Sequence, residues 1–162
     1  MISFLSRPER SCALSAEGLS TKLGVLLADR DPAFVASLFT CLATHPSMGA
    51  LASVDEGGDL LSRAIQDKPD IVCLDTGMPG LNALAATRYL HEILPEIKVI
   101  GLWEGGDLAD LRALLAMLEA GAAGCVTRKE GVAGLRRAIL GVGRYGKIYL
   151  CEEVASEVLA AL

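Results

Sequence analysis

Four short apolar runs in this chain end on side chains that could do chemistry if folding brought them to one place. Leu26-Leu27-Ala28 runs into Asp29, Arg30 and Asp31, Ile71-Val72-Cys73-Leu74 into Asp75, and Cys125-Val126-Thr127 into Arg128 and Lys129. The stretch Ile97 to Leu102 leads into Trp103 and Glu104. Carboxylates beside guanidinium groups form strong charge-assisted pairs, and the planar fork of arginine suits a carboxylate bidentately. Trp103 can donate one hydrogen bond from its indole, but the ring cannot swing as a hydroxyl does. The two histidines, His45 and His91, and the five cysteines at 12, 41, 73, 125 and 151 show no CxxC pair. A zinc centre or a disulfide framework is therefore not expected. The cysteines read as small core residues of a reducing, cytoplasmic compartment.

The elements that must position these residues alternate regularly. Val25-Leu26-Leu27 reads as a buried strand. Asp31-Pro32 opens a helix, with Asp as N-cap and Pro at the first helical position. Phe34, Val35, Leu38, Phe39 and Leu42 follow at helical spacing. Strands are expected at 50–54, 71–74, 97–102 and 125–127, separated by helices. The fourth helix carries Leu108, Leu111, Leu115 and Leu118 on one face. Five strand–helix repeats with fully apolar strands predict a doubly wound, five-stranded parallel sheet covered on both faces. Such sheets place their sites at the carboxyl ends of the strands, where the charged residues above lie. Gly141-Val142-Gly143 follows a helix, not a strand, and is discarded as a dinucleotide fingerprint.

The chain has 162 residues, a formal charge of −5 and 52% hydrophobic residues. That suits one well-buried domain and excludes bulk disorder. No apolar run reaches membrane-span length. The acidic balance argues against unspecific nucleic-acid binding by this segment alone. Residues 1–21 read as an N-terminal arm, because Arg7 to Arg10 break any signal-like apolar stretch.

Leu-Leu-Ala-Asp-Arg-Asp-Pro at 26–32, Pro-Asp-Ile-Val-Cys-Leu-Asp-Thr-Gly-Met-Pro-Gly-Leu-Asn at 69–82 and Ala-Gly-Ala-Ala-Gly-Cys-Val-Thr-Arg-Lys at 120–129 resemble the receiver domain of two-component response regulators, in the LuxR/NarL-type version. The resemblance covers about 22–143 and implies a CheY-like, flavodoxin-like fold. The remainder, 144–162, is similar to a linker with a C-terminal helix. The helix-turn-helix expected after such a linker is absent from these residues. The family is a signalling module, not an enzyme, and its implied chemistry is a phosphoryl switch. A strand-end carboxylate accepts the group while Mg²⁺ and a lysine offset the charge of the transition state.

By resemblance Asp75 is the candidate phosphoacceptor. Asp29, Asp75 and Gly77, the last through its carbonyl, stand at the metal positions. Arg30 occupies the second acidic position and so replaces a ligand. Trp103 stands where Ser or Thr is usual, Arg128 where Lys is usual, and Cys125 where an aromatic is usual. Two carboxylates leave Mg²⁺ mostly hydrated, and a neighbouring cation repels it. Metal binding is therefore expected to be weak or absent. Asp29 can instead pair with Arg30 or Arg128. Arg30 either points to solvent or enters the acidic pocket and replaces the metal's charge.

The implied function is an atypical receiver acting as an interaction and dimerisation module. An ordinary receiver phosphorylated at Asp75, the N-terminal part of a DNA-binding regulator, is the alternative. A hydrolase of the haloacid-dehalogenase kind would need an acid where Gly77 stands. The implied partners are a second copy of the chain and a histidine kinase or another signalling protein. Val154, Val158, Leu159 and Leu162 form a helical stripe that should dock on its own domain or on another chain.

Overall fold

A computed structural model of the chain describes residues 22–106 and 108–161. The expected N-terminal arm, 1–21, lies outside the described residues, as does Leu162 of the terminal stripe. The strands are β1 (Leu23–Ala28), β2 (Met48–Val54), β3 (Ile71–Asp75), β4 (Lys98–Trp103), β5 (Gly124–Thr127) and β6 (Tyr149–Leu150). The helices are α1 (Pro32–Ala43), α2 (Leu60–Asp67), α3 (Ala83–Ile93), α4 (Leu108–Glu119), α5 (Gly131–Tyr145) and α6 (Glu152–Ala161). A single 3-10 turn, Arg128–Glu130, links β5 to α5.

The strands pair in parallel in the order β2-β1-β3-β4-β5-β6. The five-stranded expectation is corrected to six. Two residues are too few to show a strand period, and β6 is held by backbone bonds instead: Tyr149 N–H to Ala123 C=O and Cys151 N–H to Cys125 C=O, each 3.0 Å. The helix before it, α5, runs to Tyr145. It stops where Gly146 takes the left-handed conformation, φ +61°.

Two apolar layers cover the sheet. On one face, Leu38 and Leu42 of α1 and Leu135, Ile139 and Val142 of α5 pack on Leu27, Ile71 and Ile100. Gly143 lets α5 lie close, since a Cβ there would sit 2.6 Å from Leu23 Cδ1. On the other face lie Leu60, Ala86, Leu90, Leu111, Leu114 and Met117 with Trp103 and Cys125. The inward side of α4 is thus Leu111, Leu114 and Met117, while Leu115 and Leu118 are half-buried. α6 joins this second layer, with Val154 fully buried. Burial pushes the Cys73 thiol up to about 12 and raises that of Cys125, as suits packing residues.

The chain reverses direction across the sheet between β1 and β3: β2 lies on one side of β1, and β3 with all later strands on the other. At such a switch point the following helices diverge and leave a crevice at the carboxyl ends of the two strands. Asp29 follows β1 and Asp75 ends β3, so topology alone brings the two carboxylates to the same crevice.

Candidate functional site

Each carboxylate is fixed first by its own backbone. The Asp31 N–H donates to Asp29 Oδ1 at 2.8 Å, and the Gly77 N–H donates to Asp75 Oδ1 at 3.0 Å. The second oxygens face each other across the crevice, and the Arg128 guanidinium lies between them. Its Nη2 donates to Asp29 Oδ2 and, at 3.1 Å, to Asp75 Oδ2. Nε lies 3.0 Å from Glu104 Oε1, an ion-pair contact at the solvent edge. The Phe34 ring, on the first turn of α1, covers the guanidinium at 4.6 Å from its centroid, a cation–π contact.

The site is well shielded. Side-chain exposure is 1% for Asp29, 14% for Asp75 and 15% for Arg128. Burial lifts the Asp29 carboxyl above its ordinary pKa, against the Asp31 N–H and the guanidinium, which favour the charged form. For Arg128 burial works downward, yet Asp29 and Asp75 beside it carry the pKa above its ordinary value. The carboxylates thus hold Arg128 charged, and Arg128 limits how far burial can lift Asp29.

A pH dependence follows. Between the ordinary carboxylate pKa and its raised native value, Asp29 holds a proton in the folded chain that the unfolded chain has lost. Its contribution to stability therefore falls as pH rises through that window. Carboxyl ¹³C NMR is expected to show Asp29 titrating above an ordinary aspartate, and higher still in Arg128→Met. An unmoved titration in that variant would mean that the guanidinium does not act on Asp29.

The structure brings Asp29, Asp75 and Arg128 together. Gly77 contributes its N–H to Asp75. Arg30, held open above as a cation for the pocket, is exposed and forms no ion pair with another described residue; the guanidinium in the crevice is that of Arg128. β1 ends at Ala28, and in the bend that follows Asp29 is buried while Arg30 is exposed. Asp31 is the N-cap of α1, accepting from the Ala33 and Phe34 N–H groups at 3.0 and 3.3 Å. Trp103 is packed in the second apolar layer with Leu111 and Val154 and is 4% exposed.

Sequence reading missed two contributors. Phe34 looked like one more apolar residue of α1, and nothing local marks it as a cover for a cation. Glu130 is signalled by Thr127-Arg-Lys-Glu130, the spacing of a capping box, and both reciprocal bonds of that box are present.

Among the described residues, no group of three or more His, Cys, Asp or Glu side chains is placed to hold a metal ion. No helix among them is long and apolar enough to cross a membrane.

A family model described as the response regulator receiver domain matches residues 25–140. Response regulator GacA of Pseudomonas viridiflava is 32% identical over 135 residues, 83% of this chain and 61% of GacA. The match thus spans about three fifths of that relative, 61%. Among solved structures, a LuxR-family two-component response regulator from Aurantimonas sp. SI85-9A1 superposes with a TM-score of 0.76 at 22% identity, over 87% of this chain and 98% of that one. A structure of two RcsB dimers bound to two parallel DNAs superposes with a TM-score of 0.71 at 18% identity, over 84% of this chain and 67% of that one.

Proposed function

Because the chain belongs to the response regulator receiver domain family, we propose that it is an atypical receiver, an interaction and dimerisation module in two-component-type signalling whose Mg²⁺-dependent phosphorylation is weak or absent. One observation carries this reading: a single guanidinium nitrogen donates to both Asp29 and Asp75. Receivers use a divalent ion to offset the repulsion between a carboxylate nucleophile and an incoming phosphoryl group. Here the facing carboxylate oxygens are already paired with a permanently charged side chain. Mg²⁺ demands an octahedral oxygen shell and dehydrates reluctantly. To enter, it would have to displace Arg128 and then tolerate the expelled charge nearby. The residues present do not fit the ion, and no step of this reading passes through it.

What the site does instead is hold shape. Arg128 ties the ends of β1 and β3 to the turn after β5, so the functional face is pre-set without a removable ion. The Asp75 carboxylate keeps its position but lends its charge to the guanidinium, which lowers its nucleophilicity. The proposed partners are a second copy of the chain and a signalling protein such as a histidine kinase, with no DNA contact by this acidic segment. Tyr145 at 66%, Ile148 at 73% and Leu159 at 70% exposure offer apolar contact around the C-terminal segment, and most soluble oligomers are symmetric.

Isothermal calorimetry tests the metal arm. The whole chain titrated with MgCl₂ is expected to give no saturable heat up to roughly 10 mM, beyond the range of an acidic receiver-type site. Saturable binding near 1 mM that disappears in both Asp29→Asn and Asp75→Asn would instead support the ordinary phosphoacceptor.

A further inference from the structure

The Trp103 indole is buried, and its Nε1–H has no hydrogen-bond partner among the described residues. A buried donor without an acceptor is costly, and natural folds keep few of them. Trp103 also lines a cleft of about 540 Å³ between α4 and α6, a volume within the range of small-molecule sites. Leu111 gives the cleft a second apolar wall, and Glu152, Glu153 and Glu157 of α6 stand around it with one cation, Lys129. Three carboxylates against one ammonium leave the cleft acidic. Part of its rim is a glycine loop: Gly105 and Gly106 follow β4 at φ +93°, backbone that side-chain-bearing residues rarely adopt. A Cβ on Gly105 would come within 3.5 Å of Lys129 Cε and 3.8 Å of Glu153 Oε2, so the loop lies against that pair. Lys129 Nζ is 3.4 Å from Glu153 Oε1, with the two side chains 65% and 44% exposed. An ion pair so exposed contributes little, and an incoming ammonium replaces Lys129 at Glu153 at small cost.

We propose that this cleft binds a small organic cation: an amine on an apolar body, with an oxygen that accepts from the Trp103 Nε1–H. The apolar body packs on Trp103 and Leu111, the ammonium pairs with Glu153 and Glu157, and the oxygen meets the orphaned donor. The surplus of carboxylates selects against an anion, and the buried donor selects against a purely hydrocarbon amine. The broad surface of a folded partner does not bring an oxygen to a donor this deep, whereas a slim ligand does. The site uses neither Asp29 nor Asp75, and it does not depend on whether Asp75 is phosphorylated.

Trp103 is the only tryptophan, so ¹H–¹⁵N NMR of the whole chain shows a single indole resonance. Titration with 2-amino-1-phenylethanol is expected to move that resonance downfield and to saturate, with a midpoint of about 1–5 mM for so small a ligand. Phenethylamine, which lacks the oxygen, is expected to bind without the downfield shift. 1-Phenylethanol lacks the amine and mandelate carries a carboxylate in its place; both are expected to bind about fivefold or more weakly. Glu153→Gln/Glu157→Gln changes two exposed positions of α6, and is expected to weaken the amino alcohol by about the same fivefold while the β1 and β3 amide resonances stay in place. The absence of a saturable indole shift up to about 20 mM overturns the proposal. So does a shift of equal size and midpoint with mandelate, an equal downfield shift with phenethylamine, or one that survives the double glutamine variant undiminished. An indole resonance that moves with protein concentration alone, before any amine is added, would assign the cleft to a second copy of the chain and equally overturn it.

Discussion

Arg30→Asp/Arg128→Lys is expected to raise Mg²⁺-dependent phosphoryl incorporation from acetyl phosphate by about a hundredfold or more over the parent chain, and adding Asp75→Asn to abolish it. The first substitution supplies an acidic side chain next to Asp29. The second replaces the planar fork that grips Asp29 and Asp75 with a flexible ammonium. Together they turn a crevice closed by an internal ion pair into one that accepts a divalent ion and leaves Asp75 free to attack. The magnitude is that of restoring one preorganised charge stabiliser to a phosphoryl-transfer site. Trp103 is left in place deliberately: it is buried with Leu111 and Val154, and truncating a buried tryptophan costs about 3–5 kcal/mol. Radiolabel or intact mass after a timed incubation reads the result. A parent chain that labels as well as the double variant would return the molecule to the ordinary receivers.

The second large effect is on stability. Arg128→Ala is expected to destabilise the fold by about 3–5 kcal/mol, because it leaves Asp29, 1% exposed at its side chain, with an uncompensated charge. Part of that penalty is relieved when Asp29 takes up a proton, so the loss is larger at neutral pH than at acidic pH. The paired variant Asp29→Asn/Arg128→Met removes both charges and is expected to recover most of the loss, as replacement of buried ion pairs by neutral groups commonly does. Urea midpoints at two pH values measure this. A single variant within about 1 kcal/mol of the parent would place the guanidinium in an effectively aqueous setting.

Much of this molecule was legible in the residue order. Short, wholly apolar runs punctuated by Asp-Pro and Gly residues predicted a parallel sheet with helices on both faces. Asp31 as N-cap and Asn82 at the start of α3 follow the same local capping chemistry, and the Asn82 side chain does accept from the Ala85 N–H at 2.9 Å. The family resemblance at 26–32, 69–82 and 120–129 led to the residues at the strand ends. These features are local, set by periodicity and by side chains bonding to their own backbone, and so they survive without three-dimensional information. The sixth strand was not legible, because its two residues carry no pattern and are recruited by a neighbour.

The amino-acid order by itself determined the doubly wound topology, and with it the meeting of Asp29 and Asp75 at one crevice. It also offered two arginines as partners for those acids, Arg30 beside Asp29 and Arg128 ninety-nine residues away from it. Only the folded chain decided between them. Arg30 lies exposed in the bend after β1, whereas the parallel pairing of β4 with β5 carries residue 128 to the crevice, under the Phe34 ring. Which charge meets which in a folded protein is settled by register and side-chain direction across distant segments, and neither is written in the spacing of neighbours.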